Sequence, residues 1–152
     1  MDKKIKEIVS AFLEKMLIFE AKIKVQKNEE IFEIKIDCSD PGILIGKNGE
    51  TMRAMEQLLR LVVSKKMEAM INLVLDIADY REKRRLEIEE MAKRAAKSAA
   101  GSGQEQILIP MNAFERRIVH LILSKYDDLE TESLGEEPNR RVVIKVKEES
   151  LV

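Results

Sequence analysis

Residues 42–51 read GILIGKNGET, two glycines enclosing Lys47 and Asn48 and followed by a run with helical periodicity. The first question is which anion such a loop would hold. A nucleotide-binding P-loop places four residues between its first glycine and the Gly-Lys pair and follows the lysine with serine or threonine. Here Ile43, Leu44 and Ile45 alone separate Gly42 from Gly46, and Asn48 follows Lys47. Loop length and magnesium ligand are both missing, which argues against a nucleoside triphosphatase. Two glycines flanking two polar residues instead let the backbone approach a ligand closely, while the following helix aims its free amides and positive dipole end at the same place. That suits a sugar-phosphate backbone, with Lys47 as a mobile cation and Asn48 able to turn left-handed or to hydrogen-bond. A tight helix-to-helix turn explains the tetrapeptide equally well, so its neighbours have to decide.

Upstream, Ile5, Ile8, Val9, Phe12, Leu13 and Met16 recur at helical spacing and predict an amphipathic helix packed on a core. EAKIKVQ and IFEIKIDC alternate apolar and polar residues around KNEE and predict a β-hairpin. A turn at Asp40-Pro41-Gly42 then leads into one helical turn and the glycine loop. Downstream, Met52, Met55, Leu59, Val62 and Val63 form a second helical stripe, and AMINLVLDIA reads as a third strand. The order is helix, strand, strand, short helix, GxxG, helix, strand.

The segment DYREKRRLEIEEMAKRAAKSAAGSG predicts a long helix ending at Gly101-Ser102-Gly103, with Leu86, Ile88, Met91, Ala92, Ala95 and Ala99 as a narrow apolar face. It is expected to bridge two modules. QILIPM reads as a strand, Asn112 with Glu115 as an N-cap pair, and Phe114 to Lys125 as a helix. LETESLGEEPNRRVVIKVK reads as two strands around a turn. A boundary near Asp79 divides the chain into domains 1–78 and 79–152.

Lysine plus arginine, at 27, nearly cancel aspartate plus glutamate, at 28, so any polyanion site must be local. One cysteine, Cys38, and one histidine, His120, exclude a disulfide framework and a cysteine-cluster metal site. This predicts a cytoplasmic protein without an export signal or membrane span, and without metal or cofactor. His120 beside Glu115 or Asp127 invites an acid-base reading, yet no nucleophile or cofactor loop accompanies it, so the expectation is no enzyme. In NAFERRIVHLIL, Arg116 and His120 stand four apart on one helix face, a charged fork beside a flat ring, suited to phosphate and base stacking.

A GxxG between two helices, preceded by two strands and followed by a third, resembles the type II KH domain over residues 3–77, whose loop clamps about four nucleotides of single strand. The ERRIVH helix followed by GEEPNRRVVI resembles the small domain named for its Arg-x-x-x-His spacing. Together with LIGKNGET and DYREKRR in this order, the chain is similar to the bacterial Jag (KhpB) family from residue 3 to 147. The fold this implies is α+β: a type II KH domain (α-β-β-α-α-β) followed by a small α-β-α-β-β domain.

In the first domain the resemblance implies that Gly46, Lys47, Asn48 and Gly49 meet the RNA backbone, with Ile45 and Ile43 in core and groove floor and Arg53 and Thr51 assisting. Gly49→Asp is then expected to set a carboxylate where phosphate belongs. In the second domain the expected contacts are Arg116, His120, Arg117, Arg140 and Arg141. Strand alternation lets at most one of the last two join the Arg116–His120 surface. Arg81, Arg84 and Arg85 offer a basic track between the modules, with a charged helix face as the competing reading for Arg84. Lys93, Arg94 and Lys97 read as a face balanced by Glu89 and Glu90. The implied role is single-stranded RNA binding by a chaperone or post-transcriptional regulator linked to cell elongation and wall homeostasis. The implied partner is the small KH protein KhpA, with self-association as a further expectation and a protein-interaction scaffold as the competing function. Family members commonly carry a further N-terminal domain and basic linker, whereas these residues begin at the KH helix.

Overall fold

The computed structural model describes residues 1–147. Its contacts divide the chain into two units, Met1–Arg81 and Glu82–Val152. The first unit runs α1 (Asp2–Lys15), β1 (Lys22–Asn28), β2 (Ile31–Asp37), α2 (Pro41–Ile45), a 3-10 turn (Lys47–Gly49), α3 (Glu50–Met67) and β3 (Asn72–Ile77). This is the mixed α+β order expected of its sequence. β1 and β2 pair antiparallel, and β2 pairs with β3 in parallel, placing Phe32 opposite Leu73, Ile34 opposite Leu75 and Ile36 opposite Ile77.

Those six side chains point to one face because strand residues alternate, and all are buried there. Ile5, Ile8, Val9 and Leu13 of α1 and Met52, Met55, Leu59 and Val63 of α3 cover them. The helical stripes read from the sequence therefore meet the strand alternation in one core. Within α2 it is Leu44 that is buried, at 1% exposure, while Ile43 is 69% exposed. A single helical turn can bury one direction only, so the core assignment of Ile43 is corrected to Leu44, whose burial contributes roughly 2 kcal/mol. Ile45 packs partly against the same core.

β3 forms the outer edge of its sheet, and side chains satisfy its unpaired backbone groups. The Leu75 N–H donates to Glu56 Oε2 at 2.9 Å, Arg60 Nη2 donates to the Leu73 carbonyl at 3.1 Å, and Arg81 Nε donates to the Leu75 carbonyl at 2.8 Å. Closing an edge in this way removes a template for further strand pairing.

The second unit contains most of α4 (Tyr80–Ser102), then β4 (Gln106–Ile107), α5 (Ala113–Leu123), β5 (Leu129–Leu134) and β6 (Arg141–Val146), with β6 central between β4 and β5. The β4 ladder covers two residues of the predicted QILIPM strand, although Leu108 and Met111 still donate to the Val142 and Arg140 carbonyls. Pro110 has no N–H to contribute, which explains the interruption. On α4 the buried positions are Ile88, Ala92, Ala96 and Ala99, whereas Leu86 is 51% exposed, so Ala96 replaces Leu86 on the predicted face. The Asn112–Glu115 pair forms a full capping box: Glu115 N–H donates to Asn112 Oδ1 at 3.0 Å and Asn112 N–H to Glu115 Oε2 at 3.2 Å.

Candidate nucleic-acid interface

At the first site, α2 ends where Gly46 adopts φ 69°, the Gly46 N–H donating to the Gly42 carbonyl at 2.9 Å. Asn48 follows at φ 51° and Gly49 at φ 75°, both left-handed, and α3 starts at Glu50 without a side-chain cap. The loop thus turns sharply and leaves the positive end of α3 to an outside acceptor. Lys47 at its tip is exposed and makes no ion pair among the described residues. Asn48 and Arg53 are half-buried.

The two glycines are required for different reasons. A Cβ on Gly46 would collide with the side chain of Thr51, which therefore packs behind the loop at the start of α3. A Cβ on buried Gly49 would stand 2.7 Å from Cε1 of Tyr80. The Gly49→Asp expectation is corrected on this ground: its side chain would meet the tyrosine ring before it faced any phosphate.

At the second site an open pocket of about 360 Å³ is lined by Ala113, Arg116, Arg117, His120, Leu121, Ser133 and Arg140. The structure brings together four of the five residues expected in this domain. Arg141 is not among them; its Nε donates to the Asn139 carbonyl at 3.1 Å. The alternation of strand β6 sends the two neighbouring arginines apart. Arg140 donates to the carbonyls of Gly135 (3.3 Å) and Ser133 (3.4 Å), holding its guanidinium along the β5–β6 turn.

Arg116 is 8% exposed, and its Nη1 donates to the Met111 carbonyl and to Glu137 Oε1, both at 2.7 Å. Arg117, one residue on, is exposed. His120 is clasped edge-on: Nδ1 lies 2.7 Å from Thr131 Oγ1 and Nε2 2.8 Å from Ser133 Oγ, two hydroxyls from one face of β5. Burial, helped by the Arg116 charge, lowers its pKa from 6.5, so the ring is neutral at neutral pH. The pocket therefore pairs a neutral ring and one half-compensated arginine with the charges of Arg117 and Arg140. Thr131, Ser133 and Glu137 were missed by sequence reasoning. The alternation of Thr131 and Ser133 on a strand was the available signal, but nothing local pointed it at His120.

The expected basic track does not survive the geometry. Arg81 pairs with Glu56 at 2.6 Å, Arg84 with Glu115 at 2.9 Å, and Arg85 with Glu82 and Glu89 at 2.8 and 2.9 Å. Carboxylates three or four residues away, or on a packed neighbour, compensate each guanidinium, leaving a charged face in place of a positive stripe. Lys93 joins the same network through Glu89 at 2.6 Å. Among the described residues no helix is long and apolar enough to cross a membrane, and no group of three or more histidine, cysteine, aspartate or glutamate side chains could hold a metal ion.

Comparison with known proteins follows this division. Residues 2–77 match the model of the KhpA/KhpB KH domain, and residues 86–146 that of the Arg-x-x-x-His domain. The RNA-binding protein KhpB of Clostridium symbiosum is 34% identical over 149 residues, 98% of this chain and 67% of that protein. The chain belongs to the KhpB family. Relatives of the same name from Bacillus subtilis and Lactiplantibacillus plantarum are 32% identical, over 82% and 75% of this chain. The chain spans 61% and 35% of those two KhpB proteins. Both structural units thus have their counterparts within the KhpB family, and the Arg116–His120 spacing is the one from which the second domain takes its name.

Proposed function

We propose that this chain binds single-stranded RNA without chemically altering it, gripping the backbone at the Gly46–Gly49 loop and extending the contact at the arginine-lined pocket. The observation that carries this reading is the uncapped start of α3 behind two left-handed glycines, with Lys47 exposed at the tip. Such a loop offers the first amides of a helix and one cation to a phosphodiester. The name of its relatives, RNA-binding protein KhpB, supports the same reading. The two units act as separate domains on one strand, each weak, with affinity raised by their linkage. RNA chaperoning or post-transcriptional control tied to cell elongation and wall homeostasis, in the cytoplasm, is the cellular role in line with this.

The test is a salt titration of binding to random-sequence single-stranded RNA. Lys47→Asp combined with Asn48→Asp removes the cation, keeps residue types that tolerate a left-handed backbone, and leaves both glycines in place. Binding should weaken by roughly tenfold or more, with a shallower dependence on salt because fewer counterions are released. Wild-type affinity in the folded double variant would remove the loop from the interface.

A second reading, a scaffold that pairs with the small KH protein KhpA or with itself, is favoured by Leu58 and Leu61 of α3, 52% and 69% exposed on one helical face. It predicts association that survives the Lys47/Asn48 double substitution, measurable by sedimentation.

A further inference from the structure

The segment DYREKRR, residues 79–85, contributes to the family likeness, yet its arginines are tied to carboxylates and RNA binding as proposed leaves it without a task. The structure assigns one to its beginning. Ala78 and Asp79 are both left-handed, at φ 51° and 54°. Two consecutive non-glycine residues adopt that conformation only where their surroundings impose it. Here the Ala78 N–H donates to the Ile36 carbonyl at 2.9 Å and Lys35 Nζ meets Asp79 Oδ1 at 3.1 Å. Just beyond, Arg81 is held through its N–H to Asp76 (3.2 Å), its Nε to the Leu75 carbonyl (2.8 Å) and its Nη2 to Glu56 (2.6 Å).

What this clamped turn delivers is Tyr80. Its ring packs partly on the core of the first unit and closes over Gly49, where a Cβ would lie 2.7 Å from Cε1 and 3.3 Å from the hydroxyl oxygen. Gly49 is the N-cap of α3 and closes the RNA loop, and glycine by itself roams φ of either sign. The ring occupies the space into which the Gly49 Cα would otherwise swing.

Resting on the loop reading above, we propose that Tyr80 is a positioning residue of the RNA clamp. It holds Gly49 in the left-handed state that aims the α3 amides and Lys47 at a phosphate. RNA held by the loop in turn tightens the first turn of α4. Tyr80 lies beyond residue 77, where the match to the KH model ends, so this contact ties the clamp to the first residues of the segment that continues into the second unit. By linkage, an effect of Tyr80 on RNA implies an equal effect of RNA on the docking of Tyr80.

The experiment uses the full chain and fluorescein-labelled random-sequence single-stranded RNA. Tyr80→Ala should weaken binding by roughly tenfold, the factor expected if the loop is competent about a tenth of the time. Its salt slope should stay unchanged because no charge is lost. Tyr80→Phe, which keeps the ring, should bind within about twofold of wild type, and Tyr80→Leu should resemble Ala and replaces it if Ala does not fold. Without RNA, amide exchange at Gly49 and Glu50 should quicken in Tyr80→Ala; in the wild type, RNA should slow exchange at Asp79–Arg81. Wild-type affinity in Tyr80→Ala and Tyr80→Leu would overturn the proposal while leaving the loop reading intact, provided the Lys47/Asn48 double variant has lost RNA. If the double variant retains RNA, the loop reading falls and this inference with it. Photocrosslinking of the RNA to Tyr80 itself would replace positioning by direct contact.

Discussion

The loop of the first unit and the pocket of the second use positive charge in opposite ways. Lys47 stands exposed on a turn whose shape is set by backbone conformation, whereas Arg116 is buried, bonded to the Met111 carbonyl and paired with Glu137. A solvated cation on a flexible stem adds attraction without supporting the fold, while a buried guanidinium with a carbonyl partner is part of the fold first. Both occur in segments that sequence reading marks as RNA-contacting, so residue type alone does not separate a contact from a support.

The contrast breaks most sharply at Gly49. Gly49→Ala imposes both an unfavourable left-handed φ and a collision with Tyr80 and should cost about 3 kcal/mol, read as a lowered urea midpoint. An unchanged midpoint would mean that the ring moves aside freely. Next in size, Arg116→Ala leaves the Met111 carbonyl without its partner and should cost about 2 kcal/mol of stability. If stability held and only RNA affinity fell, Arg116 would be a contact after all, and the difference between the sites would shrink.

Lys47→Asp with Asn48→Asp should show the reverse pattern: stability within about 0.5 kcal/mol of wild type and an RNA affinity lower by about 1.4 kcal/mol or more. Arg85→Ala should leave both RNA affinity and its salt slope unchanged, since Glu82 and Glu89 already compensate that charge.

The smallest effect concerns His120. Its pKa is lowered in the fold, so the unfolded chain takes up the proton first as pH falls. Its contribution to stability is complete above the unfolded value of 6.5 and is lost as pH drops from there through the lowered folded value. Urea midpoints at pH 7.5 and pH 5 should therefore differ more in wild type than in His120→Gln. Equal differences would show that protonation costs the clasp of Thr131 and Ser133 nothing.

Periodicity along the chain was enough to find α1, the β1–β2 hairpin, α3, β3, α4, α5 and the final hairpin, because repeats of 3.6 and 2 are local properties of a segment. It was less reliable where one turn or one residue decided the outcome. Ile43 and Leu44 are neighbours of equal hydrophobicity, and only the direction of α2 tells which is buried. Pro110 shortened a strand whose composition otherwise fitted. The capping box at Asn112 was legible because both its partners lie within one helical turn.

By itself, then, the sequence determined the element order, the division into two α+β units, the two-glycine loop and the set of cationic side chains near Arg116. Tertiary structure alone decided which of those cations face solvent and which are bound to Glu56, Glu115 or Glu137. It also decided that Tyr80 closes over Gly49 and that two strand hydroxyls hold His120. The physical reason is the range of the interactions. Periodicity, caps and turn preferences act within about one turn of helix or one pair of strand residues. The partner of a buried charge or the ring beside a glycine is chosen across elements far apart in the chain, by packing that no local spacing encodes.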